Sequence, residues 1–230
     1  MTVNPFPNYI AGTWVAGNDA APNINPSDLN DTIGDYARAN TNQTVEAIEA
    51  ATVAFPKWRE TSPLVRFEAL DRIGSEILAR VEELGDMLAR EEGKTLSEAN
   101  AEAHRAGHLF KFFAAETYRT TGDVYQSLRE SVSLKVLREP IGVVGVITPW
   151  NFPLAIPAWK IAPALAYGNT VVFKPAELVP GSAWILSDII ARAGLPEGVF
   201  NLVMGTGREV GEAIVAHPKV SGVTFTGSTP

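Results

Sequence analysis

An asparagine set between two prolines is the first residue of this sequence whose type and surroundings could support chemistry. Asn151 lies in the segment 148–153, which reads TPWNFP and follows an apolar run of strand length. The prolines restrict the backbone on both sides, so the side-chain amide could donate to a developing oxyanion without first reorganising. The alternative is that Asn151 only caps the helix that follows. The sequence by itself leaves both interpretations open.

A lysine and a glutamate follow the next apolar run. Lys174 and Glu177 are separated by a proline and an alanine. At the edge of a sheet, such a pair could hold the hydroxyl groups of a ribose. It could equally be a solvated ion pair that binds nothing.

Two glycine-containing segments follow later apolar runs. Gly205, Gly207 and Gly211 have the spacing G-x-G-x-x-x-G, which is one residue longer than the dinucleotide fingerprint. A simple strand-to-helix turn explains this spacing equally well. The segment 225–228 reads FTGS, and its backbone N–H groups and serine hydroxyl would suit a phosphate near the start of a helix. We expect that helix to lie beyond Pro230.

Each of these four segments follows a short run rich in β-branched residues, and helix-length segments separate the runs. This alternation predicts βαβ units and a parallel sheet, in which ligands bind beyond the carboxyl ends of the strands. We therefore predict an α/β fold with a doubly wound, mainly parallel, Rossmann-like sheet built from the segments after Ile141. The predicted strands are 142–148, 170–174, 199–204 and 220–226, and the predicted helices lie near 153–167, 180–193 and 207–216.

The N-terminal half has the pattern of helices that pack on this sheet. Ser62 followed by Pro63 predicts a helix start, because serine caps helices and proline is tolerated in the first turn. The apolar stripe of this helix continues to Leu84, and Gly93 is the predicted stop. The other predictions are short surface strands and turns at 9–14 and 33–37, a first helix near 45–55 and a third helix over about 97–118.

Residues 124–128 and 131–138 predict a β-hairpin. Val132, Leu134 and Val136 alternate with polar residues, so one side of the ribbon is apolar. Such a thin ribbon needs another surface to cover it. It is either an arm that contacts another subunit or an edge hairpin on its own domain.

Composition excludes several classes of site and partner. The 230 residues contain no cysteine, so disulfides, cysteine-ligated metals and thiol nucleophiles are excluded within this chain. The net charge is −7 and the basic residues are scattered, which argues against a nucleic-acid partner. No apolar stretch approaches the roughly 20 residues of a membrane helix, and the first residues lack a signal-peptide pattern. We expect a soluble, cytoplasmic protein.

Two histidines have a spacing that could chelate a metal. His104 and His108 lie four residues apart on a predicted helix. No third ligand is evident in the sequence, and most structural and catalytic zinc sites need three or four. We therefore predict no metal site.

Taken together, the four strand-end segments resemble the aldehyde dehydrogenase superfamily in their order and spacing. The resemblance extends over essentially all 230 residues, and segments 108–116, 156–165 and 174–181 are most similar to α-ketoglutaric semialdehyde dehydrogenases. In this superfamily a cysteine attacks the aldehyde, an asparagine amide holds the oxyanion, a nicotinamide cofactor accepts hydride, and a glutamate-activated water releases the acid. The resemblance implies a small aldehyde substrate and makes Asn151 the oxyanion donor.

The resemblance also implies which residues contact the cofactor and the substrate. Lys174 and Glu177 would hold the adenosine ribose, and Glu177 would favour NAD, because a carboxylate repels the 2′-phosphate of NADP. NADP is possible if Glu177 swings away. Gly207 and Gly211 would let the backbone approach the adenine side of the cofactor, and Ser228 would contact its pyrophosphate. The other implied cofactor contacts are Thr148, Pro149, Trp150, Ala176, Phe225 and Gly227, and the implied substrate-tunnel residues are Phe152, Ile156 and Trp159.

The chain departs from the superfamily pattern because the nucleophilic cysteine and the general-base glutamate belong to later segments. We therefore expect 1–122 and 139–230 to form an incomplete NAD(P)-binding domain, 123–138 to be an oligomerisation hairpin, and the catalytic domain to be absent. The expected partners are further copies of the chain and a complementing C-terminal half. We expect no aldehyde oxidation by 1–230 alone. The alternative is a free-standing, non-catalytic module that binds nucleotide or supports an oligomer.

Overall fold

The computed structural model describes residues 4–119 and 122–228, and its central feature is a mixed sheet. The strands are β1 (Asn8–Ile10), β2 (Thr13–Val15), β3 (Asp19–Ile24), β4 (Thr32–Arg38), β5 (Asp123–Gln126), β6 (Ser133–Val136), β7 (Val143–Ile147), β8 (Thr170–Lys174), β9 (Phe200–Leu202) and β10 (Val220–Phe225). The helices are α1 (Thr41–Arg59), α2 (Pro63–Ala79), α3 (Val81–Glu92), α4 (Leu96–Glu116), α5 (Ala155–Ala166), α6 (Pro180–Arg192) and α7 (Glu212–Ala216). The six-stranded sheet has the order β10-β7-β8-β9-β1-β2.

Helices cover both faces of the parallel part of this sheet, which confirms the doubly wound α/β prediction. Strands β10, β7, β8 and β9 run parallel. Successive side chains of a strand point to opposite faces. Val171 and Phe173 of β8 therefore join one core with α2 to α6, while Val172 joins a second core with α1 and α7. The predicted strand bounds differ from the observed ones by one or two residues at most.

The N-terminal strands join the central sheet, which differs from the prediction that only segments after Ile141 build it. The short strands and turns predicted at 9–14 form a hairpin, in which Ala11 and Gly12 have φ angles of 51° and 82° and turn the chain between β1 and β2. Strand β1 pairs antiparallel with β9. Asn201 of β9 fixes this turn by accepting a hydrogen bond from the Ala11 N–H at 3.0 Å. Strands β3 and β4 form a separate pair, as the prediction at 33–37 allows.

The long predicted helix from Ser62 to Gly93 is two helices. Ser62 caps α2 through the backbone N–H of Val65, and Pro63 is its first residue, as expected. The break occurs at Arg80, where φ and ψ are −113° and 22°. The break lets α2 and α3 follow different neighbours: α2 packs on α4 and α5, and α3 on α4 and α6. Within 4–119 and 122–228, no helix is long and apolar enough to cross a membrane.

Strands β5 and β6 form a hairpin that lies outside the central sheet. They pair with each other from Asp123↔Val136 to Gln126↔Ser133, and every residue of both strands is exposed. Residues 4–119 and 122–228 therefore leave the apolar side chains of the ribbon uncovered. The structure favours a projecting arm over a hairpin packed into its own domain.

Candidate cofactor and aldehyde site

The carboxyl ends of the parallel strands bring the four sequence segments to one edge of the sheet. Ile147 at the end of β7 is in register with Lys174 at the end of β8 and with Phe225 at the end of β10. Phe173 of β8 is likewise opposite Leu202 of β9. Residues that are far apart in sequence thus begin their loops side by side. This is the edge at which open α/β sheets bind ligands.

A groove of about 520 Å³ opens at this edge. A Cβ atom added to Gly207 or Gly211 would meet no atom within 4 Å, so packing inside this chain does not require glycine at either position. The space above both residues is open to a ligand that approaches the backbone. The groove is lined by Ile147, Gly207, Gly211, Glu212, Val215, Ala216 and Phe225.

The segment that follows β9 begins with an unusual helical turn. Residues Gly207–Gly211 form a π-helical turn that leads into α7, whereas the sequence predicts one helix over 207–216. Thr206 caps the turn by accepting a hydrogen bond from the Glu209 N–H at 3.1 Å. The longer glycine spacing therefore corresponds to a wider first turn, and π-turns often mark functional sites.

Lys174 and Glu177 do not form the solvated ion pair that the sequence left open. Lys174 is 5% exposed, and its ammonium group makes no hydrogen bond or ion pair with the residues that the structure describes. Burial lowers the pKa of its ammonium group, and the nearby Glu177 carboxylate acts in the opposite direction. Glu177 is exposed and accepts a hydrogen bond from the Gly207 N–H at 3.0 Å. The carboxylate therefore lies at the rim of the groove.

The remaining predicted cofactor residues differ in how close they lie to this groove. The Thr148 N–H donates to the Lys174 carbonyl at 3.3 Å, and its buried hydroxyl has no partner among the described residues. Pro149 follows it and is partly buried. Ala176 lines a small cleft beside Glu177. Gly227 and Ser228 are exposed just beyond β10, and Trp150 lies in a different pocket with Asn151.

Asn151 does not cap helix α5, so that alternative is wrong. The cap position of α5 is Leu154, whose side chain makes no capping hydrogen bond. The first amides of the helix are instead held by Glu102 of α4, whose Oε1 accepts from the N–H groups of Leu154 at 2.9 Å and Ala155 at 3.0 Å. The exposed Asn151 side chain is left free to bind a ligand.

A second pocket, of about 530 Å³, contains Asn151. Trp150 and Phe152, the chain neighbours of Asn151, are half exposed and line the same pocket. Ile156 is half-buried one turn into the following segment, and Trp159 packs edge-on against Phe113 with ring centroids 6.1 Å apart. Of the predicted substrate residues, the structure brings Phe152 next to Asn151, and Ile156 and Trp159 lie outside the residues that line this pocket.

The same pocket has charged walls that the sequence did not single out. Lys94, between α3 and α4, contacts the carboxylates of Glu92 at 2.7 Å and Glu102 at 2.5 Å. The sequence held one signal: Glu102 interrupts the buried small-residue stripe of Ala99 and Ala103. Charged residues are rarely buried without a partner. His104 and His108 stack with ring centroids 6.2 Å apart, and no group of metal ligands occurs among the described residues.

Comparison with known proteins assigns the family. Residues 14–230 match the aldehyde dehydrogenase family. The chain belongs to this family. It is 43% identical over 228 residues to an α-ketoglutaric semialdehyde dehydrogenase of Bacillus subtilis, and 38% identical over 228 residues to an α-ketoglutarate semialdehyde dehydrogenase of Haloferax volcanii. These alignments cover 98% of this chain but 46% and 47% of the relatives, so the chain spans about half their length.

Solved structures of aldehyde dehydrogenases share this fold. A betaine aldehyde dehydrogenase of Staphylococcus aureus in complex with NAD+ matches with a TM-score of 0.91 and 33% identity, over 95% of this chain and 45% of that one. HpcC of Thermus thermophilus matches with a TM-score of 0.92 and 39% identity, over 96% of this chain and 43% of that one. These matches confirm the Rossmann-like prediction. The absence of cysteine fits a member of the family that covers half of its relatives.

Proposed function

We propose that this chain is the cofactor-binding half of an NAD(P)-dependent aldehyde dehydrogenase that oxidises a small semialdehyde to a carboxylate. The observation that carries the proposal is that Ile147, Lys174 and Phe225 end neighbouring strands at the edge where the groove opens over Gly207 and Gly211. The loop that contains Asn151 begins at the same edge, after β7. The family supplies the reaction class. The geometry supplies the share of the reaction that this chain's own residues perform.

The residues around the groove fit a dinucleotide. The open space above Gly207 and Gly211 admits a flat, partly apolar group against the backbone, and Phe225 provides an apolar wall. The buried hydroxyl of Thr148 has no partner among the described residues, and such burial costs free energy unless a ligand satisfies the group. The ammonium group of Lys174, a residue that is 5% exposed, would be a second polar contact for the cofactor. When bound, the cofactor supplies the hydride acceptor. This chain's residues hold it against the sheet edge.

Asn151 would stabilise the oxyanion that forms when a nucleophile attacks the aldehyde carbonyl. Its amide is exposed in the second pocket and is not used to cap α5. A preorganised amide donor typically contributes about 10²- to 10³-fold to the rate of such a step. The nucleophile would come from the C-terminal half, because this chain contains no cysteine. The same half would provide the base that activates water.

The position of Glu177 supports a preference for NAD over NADP. Its carboxylate, fixed at the groove rim by the Gly207 N–H, would accept a hydrogen bond from a ribose 2′-hydroxyl and repel a 2′-phosphate. The test compares kcat/KM for both cofactors in the complete enzyme, meaning this chain continued by a C-terminal half from its own reading frame or from the Bacillus subtilis relative. We expect Glu177→Gln to narrow the difference. A preference of the parent for NADP would contradict the proposal.

Two relatives that act on α-ketoglutaric semialdehyde make this compound the first choice of substrate. The test measures reduced nicotinamide formation by the complete enzyme with this semialdehyde and with long aliphatic and aromatic aldehydes. We expect the semialdehyde to have the highest kcat/KM and Asn151→Ala to lower kcat. Faster turnover of the long or aromatic aldehydes would show that the substrate class is wrong.

Residues 1–230 assayed alone are expected to give no turnover, and activity should return when the C-terminal half is added in trans. Turnover by purified 1–230, free of longer enzyme, would contradict this division of the site. Absence of turnover from both the mixture and the complete enzyme would favour the non-catalytic module.

The exposed hairpin of β5 and β6 supports a role as the arm of a homo-oligomer. Its apolar side chains include Val124, Leu134 and Val136, which are 76%, 50% and 48% exposed in the part of the chain that the structure describes. Burial against another subunit would remove this surface from water. We expect Leu134→Ser with Val136→Ser to shift the complete enzyme to smaller species in analytical ultracentrifugation. An unchanged sedimentation profile would count against the arm.

A further inference from the structure

A buried cluster of charges lies directly behind Asn151. The side chain of Lys94 is 11% exposed, and those of Glu92 and Glu102 are 9% and 1% exposed. Besides both carboxylates, the Lys94 ammonium donates to the backbone carbonyl oxygen of Asn151 at 3.2 Å. The chain segments that meet here are the α3–α4 connection, α4 and the loop before α5. A lysine with three oxygen partners is held in one place.

Glu102 connects this lysine to the other end of the same loop. One carboxylate oxygen contacts Lys94, and the other accepts from the N–H groups of Leu154 and Ala155. The loop that contains Asn151 is therefore fixed at its carbonyl by Lys94 and at the start of α5 by Glu102. A negative carboxylate at a helix N-terminus is also favoured by the helix dipole.

The ring of Phe152 completes the contact. The Lys94 ammonium lies 4.6 Å from the centre of this ring, at a distance typical of cation–π interactions. Burial alone would lower the pKa of Lys94, but its hydrogen bonds to Glu102 and Glu92 outweigh burial and raise it. The lysine is therefore charged throughout the neutral range. Its charge serves the loop and its two carboxylates, and it is not available as a base.

We propose that Lys94 and Glu102 are positioning residues that hold the Asn151 loop so that the Asn151 amide meets the oxyanion. The inference rests on the proposed function. A preorganised donor stabilises developing charge only if its backbone stays in place during the reaction. Neither residue needs to touch the aldehyde. Their effect passes through Asn151.

A double-mutant cycle in the complete enzyme tests this route. Lys94→Met keeps an unbranched stem and removes the charge that holds the Asn151 carbonyl. In the parent we expect kcat to fall by about tenfold, because a donor that is displaced stabilises the oxyanion less than one in place. The dissociation constant for NAD, measured by fluorescence titration, should not change. In the Asn151→Ala background the same substitution should lower kcat by less than about twofold, since there is no donor left to position.

Lys111→Met is the matched control. Lys111 lies on α4 and contacts Asp71 of α2 at 2.7 Å, so the substitution breaks a lysine–carboxylate pair that lies away from the pocket. We expect kcat to stay within about twofold of the parent. Equal loss of kcat from Lys94→Met in both backgrounds, or equal loss from Lys111→Met, would overturn the positioning role.

A second variant and a second measurement cover the case in which Lys94→Met fails to fold. Glu102→Gln keeps an acceptor for the α5 amides and weakens the hold on Lys94, so the same non-additivity with Asn151→Ala is expected. Hydrogen–deuterium exchange at 151–155 should be faster in either folded variant than in the parent, with or without activity. Unchanged exchange at 151–155 would overturn the positioning role of Lys94 and Glu102. If instead the unsubstituted complete enzyme oxidises no aldehyde while exchange is still faster in the variants, the proposed function is overturned and the positioning of the loop is not.

Discussion

Helices α5 and α6 both begin without a side-chain cap of their own, and a buried glutamate from another helix holds each of them. Glu102 of α4 accepts the first amides of α5, and Glu91 of α3 accepts the N–H groups of Gly181 and Ser182 at the start of α6. Each carboxylate satisfies amides that a helix end would leave unpaired. The two sites thus solve the same problem by the same means.

They differ in what balances the buried charge. Glu102 contacts the Lys94 ammonium, whereas the described groups that contact Glu91 are uncharged, namely the two α6 amides, the Ser182 hydroxyl and the Asn23 amide. Burial raises the pKa of Glu91 to about 7 even though these donors favour the charged form. The helix end held by the solitary Glu91 carboxyl is therefore sensitive to pH near neutrality. Only the helix end held by Glu102 lies beside the candidate oxyanion site.

The largest expected loss of stability is at the start of α5, where Glu102 is paired with Lys94. Glu102→Ala should lower the free energy of unfolding of this chain by about 3–5 kcal/mol, because it leaves Lys94 with one carboxylate partner and two α5 amides without an acceptor. Urea denaturation followed by circular dichroism measures the change. A loss below about 1 kcal/mol would mean that the pair does not stabilise the fold.

The solitary carboxyl should matter somewhat less. Glu91→Ala is expected to lower the free energy of unfolding by about 2–3 kcal/mol at neutral pH, because four donors lose their acceptor but no cation is left behind. The same urea experiment gives the comparison. Equal losses for the two alanine variants would show that Lys94 does not distinguish the sites.

The pH dependence of stability should separate the two sites further. Because the folded-state pKa of Glu91 is raised from 4.5 to about 7, the folded chain holds this proton more tightly than the unfolded chain. The contribution to stability is complete below about pH 4.5 and is lost as the pH rises to about 7. The loss should be on the order of 2 kcal/mol. Urea denaturation scanned from about pH 5 to about pH 8 should show this loss of stability in the parent chain and not in Glu91→Gln. The same dependence of the free energy of unfolding on pH in both chains would contradict the prediction.

The smallest effect on stability is expected for a more exposed ion pair between α4 and α2. Lys111 and Asp71 have side chains that are 32% and 39% exposed. Lys111→Met should change the free energy of unfolding by less than about 1 kcal/mol, since water screens the pair. Raising the salt concentration should remove the remaining difference in the free energy of unfolding between the parent and Lys111→Met. A larger, salt-independent loss would indicate that burial is not what distinguishes these lysines.

Local pattern was enough to predict most of the fold. Periodicity and flanking residues predicted strand β8, which ends at Lys174, strand β10, which ends at Phe225, and the start of α2 at Ser62. These signals act over a few neighbouring residues. The prediction was wrong at Arg80, where one predicted helix is two, and in leaving β1 and β2 out of the central sheet. A turn that uses Ala11 in a left-handed conformation, and a helix break at an arginine, depend on what the flanking elements pack against. The roles of the individual site residues remain predictions.

The sequence by itself determined that four strand-end segments occur in order, that no thiol is present, and that Asn151 has a stiff backbone. It did not single out Glu91 and Glu102 as buried helical residues that hold the starts of other helices. Only the tertiary structure decided their partners, which lie 90 and 52 residues away at the starts of α6 and α5, and brought Lys94 to a carbonyl 57 residues away. Helix and strand patterns repeat within a few residues, whereas a buried charge is satisfied by whichever group packing brings within about 3 Å.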